Sequence, residues 1–331
     1  SDILTTMTGL PRWVWFVVII IYYFIATILP VDKIIAKIYP IFGAALIFMA
    51  ASLLVVVLFG DYELPELDSV KNMHAKAEAL PIVPTLFISI ACGAISGFHA
   101  TQSPLMARCI KNEKQCRSVF YGAMISESVI ALIWAAVAMA FFGGVEALNA
   151  EMVANGGNAG VAVTKITTTT LGTVGSVLAL LGMVAAPITS GDTAFRSARL
   201  IVADMLHIEQ RSLVKRLLIS MPLFAIGIAI TFVDFDIIWR YFAWANQTLS
   251  VFVLWMIVSW LYRRGTWAVY LALLPAIFMT YICTSFVFVS DQFVGMGSVD
   301  IAYLYSAAVT AIISSLLMLK IRKDKRNGAE I

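Results

Sequence analysis

The chain has 331 residues, 61% of them hydrophobic and only 13% charged, with a formal net charge of +3. A soluble domain carries about 25% charged residues, so this composition excludes an ordinary soluble enzyme and describes a chain dissolved in lipid. A balance of +3 is no footprint of nucleic-acid binding.

Hydropathy predicts about nine membrane spans, at 13–29, 40–59, 82–105, 119–142, 168–190, 214–233, 237–261, 266–289 and 299–319. The fold class expected is therefore all-α: a polytopic membrane helix bundle of secondary-transporter type with broken helices. Residues 1–331 form one transmembrane domain, with a basic tail at 320–331.

The third span is the unusual one. Its apolar run, 82–95, reaches about 21 Å as a helix, short of a hydrocarbon core about 30 Å thick. It completes its crossing only through Ser96, Gly97, His99, Thr101, Gln102, Ser103 and Pro104. Polar backbone punctuated by Gly and Pro is tolerated at membrane depth only where it faces protein or a water-filled cavity. An interrupted span is also the best pointer to a transporter's binding site. Ser96, Gly97, His99, Thr101, Gln102 and Ser103 are thus the expected solute-binding stretch. Gly93 and Gly97 form a G-x-x-x-G pair that admits a neighbouring helix. If the region stays helical, Ser96, His99 and Ser103 share one stripe. Histidine ordinarily titrates near neutral pH, which makes His99 a candidate proton carrier; the competing reading is a histidine hydrogen-bonded between helices.

Glu127 lies inside the fourth span. A carboxylate there marks a pathway or a partner, so it either exchanges protons with the solute cycle or bonds a neighbouring helix as the neutral acid. The loop 143–165 carries the turn sequence Asn155-Gly156-Gly157-Asn158. The fifth span ends in a Pro187 kink and a polar cluster. There Asp192 either helps coordinate a coupling ion or caps a short amphipathic helix at 193–206, with Phe195, Ala198, Val202 and Met205 on one face. Arg196 and Arg199 follow, as contacts for an anionic solute at the inner mouth or as cytoplasmic anchors. In the seventh span Asp236 and Arg240 have the spacing of an i,i+4 salt bridge. Further along it, Asn246 and Gln247 put two adjacent amides in hydrocarbon, where each must find a partner; they bind a solute carboxylate or carbonyl, or they join helices.

Most of the 23 Lys and Arg fall on one side when the C-terminal tail is placed in the cytoplasm and the spans alternate backwards. The acidic loop 60–80 then lies outside, as does the N-terminus. The chain begins Ser-Asp with no signal peptide, so the expectation is a C-terminal part of a longer chain with an odd number of spans upstream. Cys92, Cys109, Cys116 and Cys283 form no CxxC pattern, and His74, His99 and His207 are scattered, so no metal site is expected. Nucleotide-binding and hydrolase motifs are missing from the sequence, so no enzyme activity and no cofactor are expected, with a proton gradient as the energy source.

At several of these motifs the sequence resembles the carbon starvation protein A family. The stretches are Gly93-Ala94-Ile95-Ser96-Gly97-Phe98-His99-Ala100, Tyr121-Gly122-Ala123-Met124, Asp192-Thr193-Ala194 with Arg196 and Arg199, and Ala245-Asn246-Gln247. The resemblance runs over about residues 13–261. It implies a member of the amino acid–polyamine–organocation superfamily in the inner (plasma) membrane, importing peptides or pyruvate by proton symport during nutrient limitation. It also implies further N-terminal spans, including a His- and Gly-rich broken helix. The partners expected are that small solute and the lipid bilayer, compatibly with a homo-oligomer. The alternatives are a passive channel and a non-transporting membrane sensor of nutrient state.

Overall fold

The computed structural model describes residues 4–5, 8–28, 35–64, 71–74, 77–233 and 235–327. Among them the chain is helical, with no strand. The helices are α1 (Arg12–Ile28), α2 (Ile35–Phe59), α3 (Ile82–Ala94), α4 (Phe98–Cys109), α5 (Gly122–Phe142), α6 (Val145–Ala154), α7 (Ala159–Leu178), α8 (Ala186–Met205), α9 (Leu213–Ile230), α10 (Phe235–Arg264), α11 (Val269–Val289) and α12 (Val299–Arg326). Short 3₁₀ and π turns at Glu113–Gln115 and Arg117–Tyr121 lead into α5, and a π segment, Ala179–Ala185, joins α7 to α8. Helices satisfy their own backbone, which is the condition for lying in lipid.

Every expected span is helical. Among the described residues, six helical stretches are long and apolar enough to cross a membrane: Pro40–Phe59, Glu113–Phe142, Leu213–Ile230, Ile237–Arg264, Val269–Val289 and Val299–Arg326. The other three expected spans each differ from a long unbroken rod. The first is a shorter apolar helix, the third is broken, and the fifth bends twice. Gly172 in α7 has φ 56°, ψ −138°, a conformation open mainly to glycine. The π segment then precedes Pro187, which has no N–H for the helical ladder.

Three expectations need correcting or extending. Asp192 is not a cap: α8 is continuous from Ala186 to Met205, so Asp192 sits inside it and pairs with Arg196 instead. The segment 143–165 is largely helical, as α6 and the start of α7. The expected turn separates them, with Gly156 and Gly157 at positive φ. The basic tail is helical to Arg326; Lys325 donates to the Tyr262 carbonyl at 2.9 Å, and Arg263 pairs with Asp324 at 3.6 Å. The expected Asp236–Arg240 pair rests on a side chain, that of Asp236, which is not among those described, and the acidic residues Glu66 and Asp68 lie outside the described residues.

The chain divides into two compact units, each drawn from two stretches: 1–73 with 126–232, and 74–125 with 233–331. In the first, Met49, Leu53 and Val57 of α2 pack with Val137 and Ala140 of α5 and Ile166 of α7. In the second, Trp255 and Val258 of α10 pack with Val269, Ala272 and Ala276 of α11 and Ile321 of α12. A neighbouring cluster joins Ile88 of α3, Ala243 of α10, and Ile282, Cys283 and Phe286 of α11. Small residues let the helices approach, and hydrogen bonds tie them: Trp255 Nε1 donates to Thr280 Oγ1 at 3.1 Å, and the hydroxyls of Thr284 and Thr310 lie 3.0 Å apart.

Phe48 and Met49 are adjacent on α2 but face opposite ways, at 59% and 0% exposure. Truncating a buried side chain forfeits packing contacts that surrounding residues cannot restore. In thermal unfolding of the full-length protein, Met49→Ala is expected to cost about 2–5 kcal/mol, whereas Phe48→Ala leaves the midpoint nearly unchanged.

Candidate functional site

The third span is interrupted at residues 95–97. α3 stops at Ala94 and α4 starts at Phe98. Gly97 stands directly against α10: a side chain there would run into the Asn246 carbonyl oxygen and Leu249 Cβ. Asn246 then reaches across. Its Oδ1 accepts the Phe98 N–H at 2.9 Å, and its amide makes long, 3.4 Å contacts with Ser96 Oγ. Ser96 and Asn246 are buried. A backbone donor exposed by the break is thereby satisfied without water, as lipid requires.

Ser96 falls before the helix, so only His99 and Ser103 share a face of α4, one turn apart. His99 Nδ1 lies 3.2 Å from the Ser96 carbonyl. A carbonyl only accepts, so this bond places the ring proton on Nδ1. Thr101 Oγ1 donates to the Phe98 carbonyl at 2.8 Å. Gln102 and Ser103 are half-buried on the same short helix.

Gln247 differs from its neighbour. It is 0% exposed, and among the described residues neither its amide nitrogen nor its amide oxygen has a hydrogen-bond partner. One turn before and one turn after it, Ala243 and Val251 pack into the cluster of Ile88, Ile282, Cys283 and Phe286. Ser285 on α11, also 0% exposed, likewise leaves its hydroxyl without a partner. Burying an amide unpaired costs roughly 2–7 kcal/mol depending on the reference state.

Glu127, Asp192, Arg196 and Arg199 belong to the first unit. Glu127 is half-buried in the first turns of α5. Asp192 is 5% exposed and holds Arg196 at 3.2 Å, one turn along α8. The ring of Tyr23 on α1 lies over Gly191, where any side chain would collide with it, and packs on Phe195 with centroids 5.4 Å apart. Arg199 is half-buried further along α8.

Sequence reasoning missed Ser285, Tyr23, Gln210 and Arg216. Ser285 follows Thr284 inside a span, a polar pair of the same kind that drew attention to Asn246 and Gln247. Tyr23 carries no such signal, because a tyrosine in an apolar helix is ordinary.

A family model described as carbon starvation protein CstA matches residues 1–181. An uncharacterized membrane protein of Haemophilus influenzae is 45% identical over 151 residues, covering 41% of each chain. The peptide transporter CstA of Helicobacter pylori is 34% identical over 34% of this chain and 17% of its own length. The pyruvate/proton symporter BtsT of Escherichia coli is 33% identical over 34% of this chain and 16% of its own. The matches thus span less than half the length of each of these curated relatives. No solved structure matches the chain significantly.

The contact at Gly97 can be separated from helix propensity. Gly97→Ala is expected to lower the yield and unfolding midpoint of the full-length protein, because backbone must move. Gly43→Ala, in α2 with open space around it, should be neutral or mildly stabilising by up to about 1 kcal/mol. Asn246→Ala should cost about 1–3 kcal/mol by stranding the Phe98 N–H. Equal midpoints for the two glycine variants would refute the close approach.

Proposed function

The chain belongs to the carbon starvation protein CstA family, and on that footing we propose that it serves in a secondary transporter importing a small carboxylate such as pyruvate, or a peptide, by proton symport. Multiple membrane-spanning helices and relatives named as transporters support this reading. The observation that carries it is the break at residues 95–97, braced by Asn246, with the buried and unpartnered amide of Gln247 in the next position along α10. Interrupted helices are where transporters grip solutes. An unpaired amide with a donor and an acceptor to offer is complementary to a carboxyl or peptide group.

In this mechanism Ser96, Gly97, Thr101, Gln102, Ser103 and Gln247 contact the solute, and Asn246 joins them while its side-chain carbonyl braces the break. His99 carries the coupled proton: its Nδ1–H is engaged by the Ser96 carbonyl, so a proton gained on the ring changes the charge beside the break. Glu127 and Asp192 are the carboxylates assigned to proton coupling alongside it. No cofactor takes part. The N-terminus of this stretch faces outward and the basic C-terminal helix faces the cytoplasm, in keeping with the distribution of Lys and Arg.

Uptake of labelled pyruvate and of a dipeptide by the full-length protein in vesicles tests this. An imposed inward proton gradient should drive accumulation above equilibrium, and collapsing it should end accumulation. His99→Ala and Glu127→Gln should each reduce accumulation roughly tenfold or more at unchanged protein level. Uptake indifferent to the gradient would rule out symport.

A further inference from the structure

A second polar cluster lies along the α8–α9 hairpin in the first unit, and of its side chains only Asp192 enters that cycle. Phe195 of α8 packs against Phe224 of α9 with ring centroids 4.9 Å apart, and its edge lies over Gly227. The two helices are joined by the short segment 206–212, so they run antiparallel and the last turns of α8 lie beside the first turns of α9. Three guanidiniums gather there, with Asp192 the carboxylate that acts on Arg199 and with Asp204 and Glu209 exposed at the hairpin's end. Arg196 is committed to Asp192. Arg216 donates through Nε to the Gln210 carbonyl at 2.7 Å, which fixes it beside the connecting segment. Arg199 buries its Nε without a partner, and the side-chain amide of Gln210 is buried with neither nitrogen nor oxygen bonded. Burial above all, and then the neighbouring Arg196 and Arg216, push the Arg199 guanidinium below its ordinary value, with Asp192 pulling it back.

Such a cluster, rich in donors and positive, asks for an oxyanion. Its surroundings say which kind. Ile201, Met205 and Leu206 at the end of α8, and Leu213, Val214 and Leu218 at the start of α9, are exposed apolar side chains flanking the arginines. A dissolved anion needs no apolar rim, whereas a phospholipid presents a phosphate and an acyl chain together. We propose that the α8–α9 hairpin binds the phosphate of an anionic phospholipid between Arg199 and Arg216, with the acyl chain along the apolar rim. Arginine suits this task because its planar fork meets phosphate oxygens in pairs. Basic recesses between membrane helices on the cytoplasmic side are where acidic headgroups bind. The Gln210 amide adds a donor to the phosphate, and its carbonyl oxygen favours a headgroup that also carries a hydroxyl, as phosphatidylglycerol does.

The test is thermal unfolding of the full-length protein in mild detergent, titrated separately with phosphatidylglycerol, phosphatidylcholine, inorganic phosphate and pyruvate. Phosphatidylglycerol should raise the midpoint saturably and phosphatidylcholine should not. Arg199→Gln with Arg216→Gln should weaken half-saturation about thirtyfold, and the exposed Arg211→Gln should leave it unchanged. Protection by inorganic phosphate alone would move the source from lipid to solute and overturn the lipid assignment. Protection by pyruvate alone would give the cluster to the cargo and overturn it too. If the double variant fails to fold, native mass spectrometry of the unaltered protein decides: retained phosphatidylglycerol in preference to phosphatidylcholine supports the site, and no preference overturns it.

Discussion

An interrupted helix in lipid frees backbone N–H groups with no water to receive them, and in the second unit a single side-chain amide answers that need. Asn246 Oδ1 takes the Phe98 N–H at 2.9 Å and reaches Ser96 Oγ at 3.4 Å. The bond exists only because α10 comes into contact with Gly97, where a side chain would strike its backbone. A hydrogen bond in a medium of low dielectric is stronger than in water, and its loss is correspondingly expensive. The break, its geometry and the orientation of His99 on the first turn of α4 all follow from this one contact.

That arrangement assigns different work to two adjacent amides. With its carbonyl occupied, Asn246 behaves as structure. Gln247, a hundred degrees further round α10, is fully buried, and Ala243 and Val251, one turn to either side of it, pack into the cluster of Ile88, Ile282 and Phe286. A buried amide left unpaired is costly, and that cost singles Gln247 out from its neighbour. The first unit handles charge by the opposite strategy. Asp192, nearly buried, is paired at once with Arg196, which removes the penalty of a lone carboxylate.

How legible this was depends on the kind of information each feature carries. The break at 95–97 could be read from residue types, because no apolar helix of sufficient length could be drawn through Ser96 and Gly97. The adjacent amides could be found for the same reason, yet nothing in Ala245-Asn246-Gln247 distinguishes the brace from the unpaired group. That distinction is a matter of which face meets α4. Asp192 misled because Ser190-Gly191-Asp192-Thr193 is good capping chemistry. The helix runs through it because the π segment before Pro187 absorbs the irregularity earlier in the chain, and Arg196 at i+4 gives the carboxylate a partner inside the helix. Tyr23, Gln210 and Arg216 enter their cluster from other helices or from a connecting segment, at sequence distances no local pattern spans.

Composition and periodicity alone determined that this chain is a helical membrane protein, where its spans lie, and which of them is broken, because the cost of polar backbone in hydrocarbon is large and acts locally on each stretch of sequence. Only the tertiary structure decided which amide is satisfied and which is not, that Gly97 is a point of helix contact rather than a flexible joint, and that Asp192 neutralises one arginine while two others remain. Those outcomes depend on register and approach between helices far apart in the chain, and hydrogen bonds of about 3 Å are too short-ranged to be foreseen from residue types without knowing which faces meet.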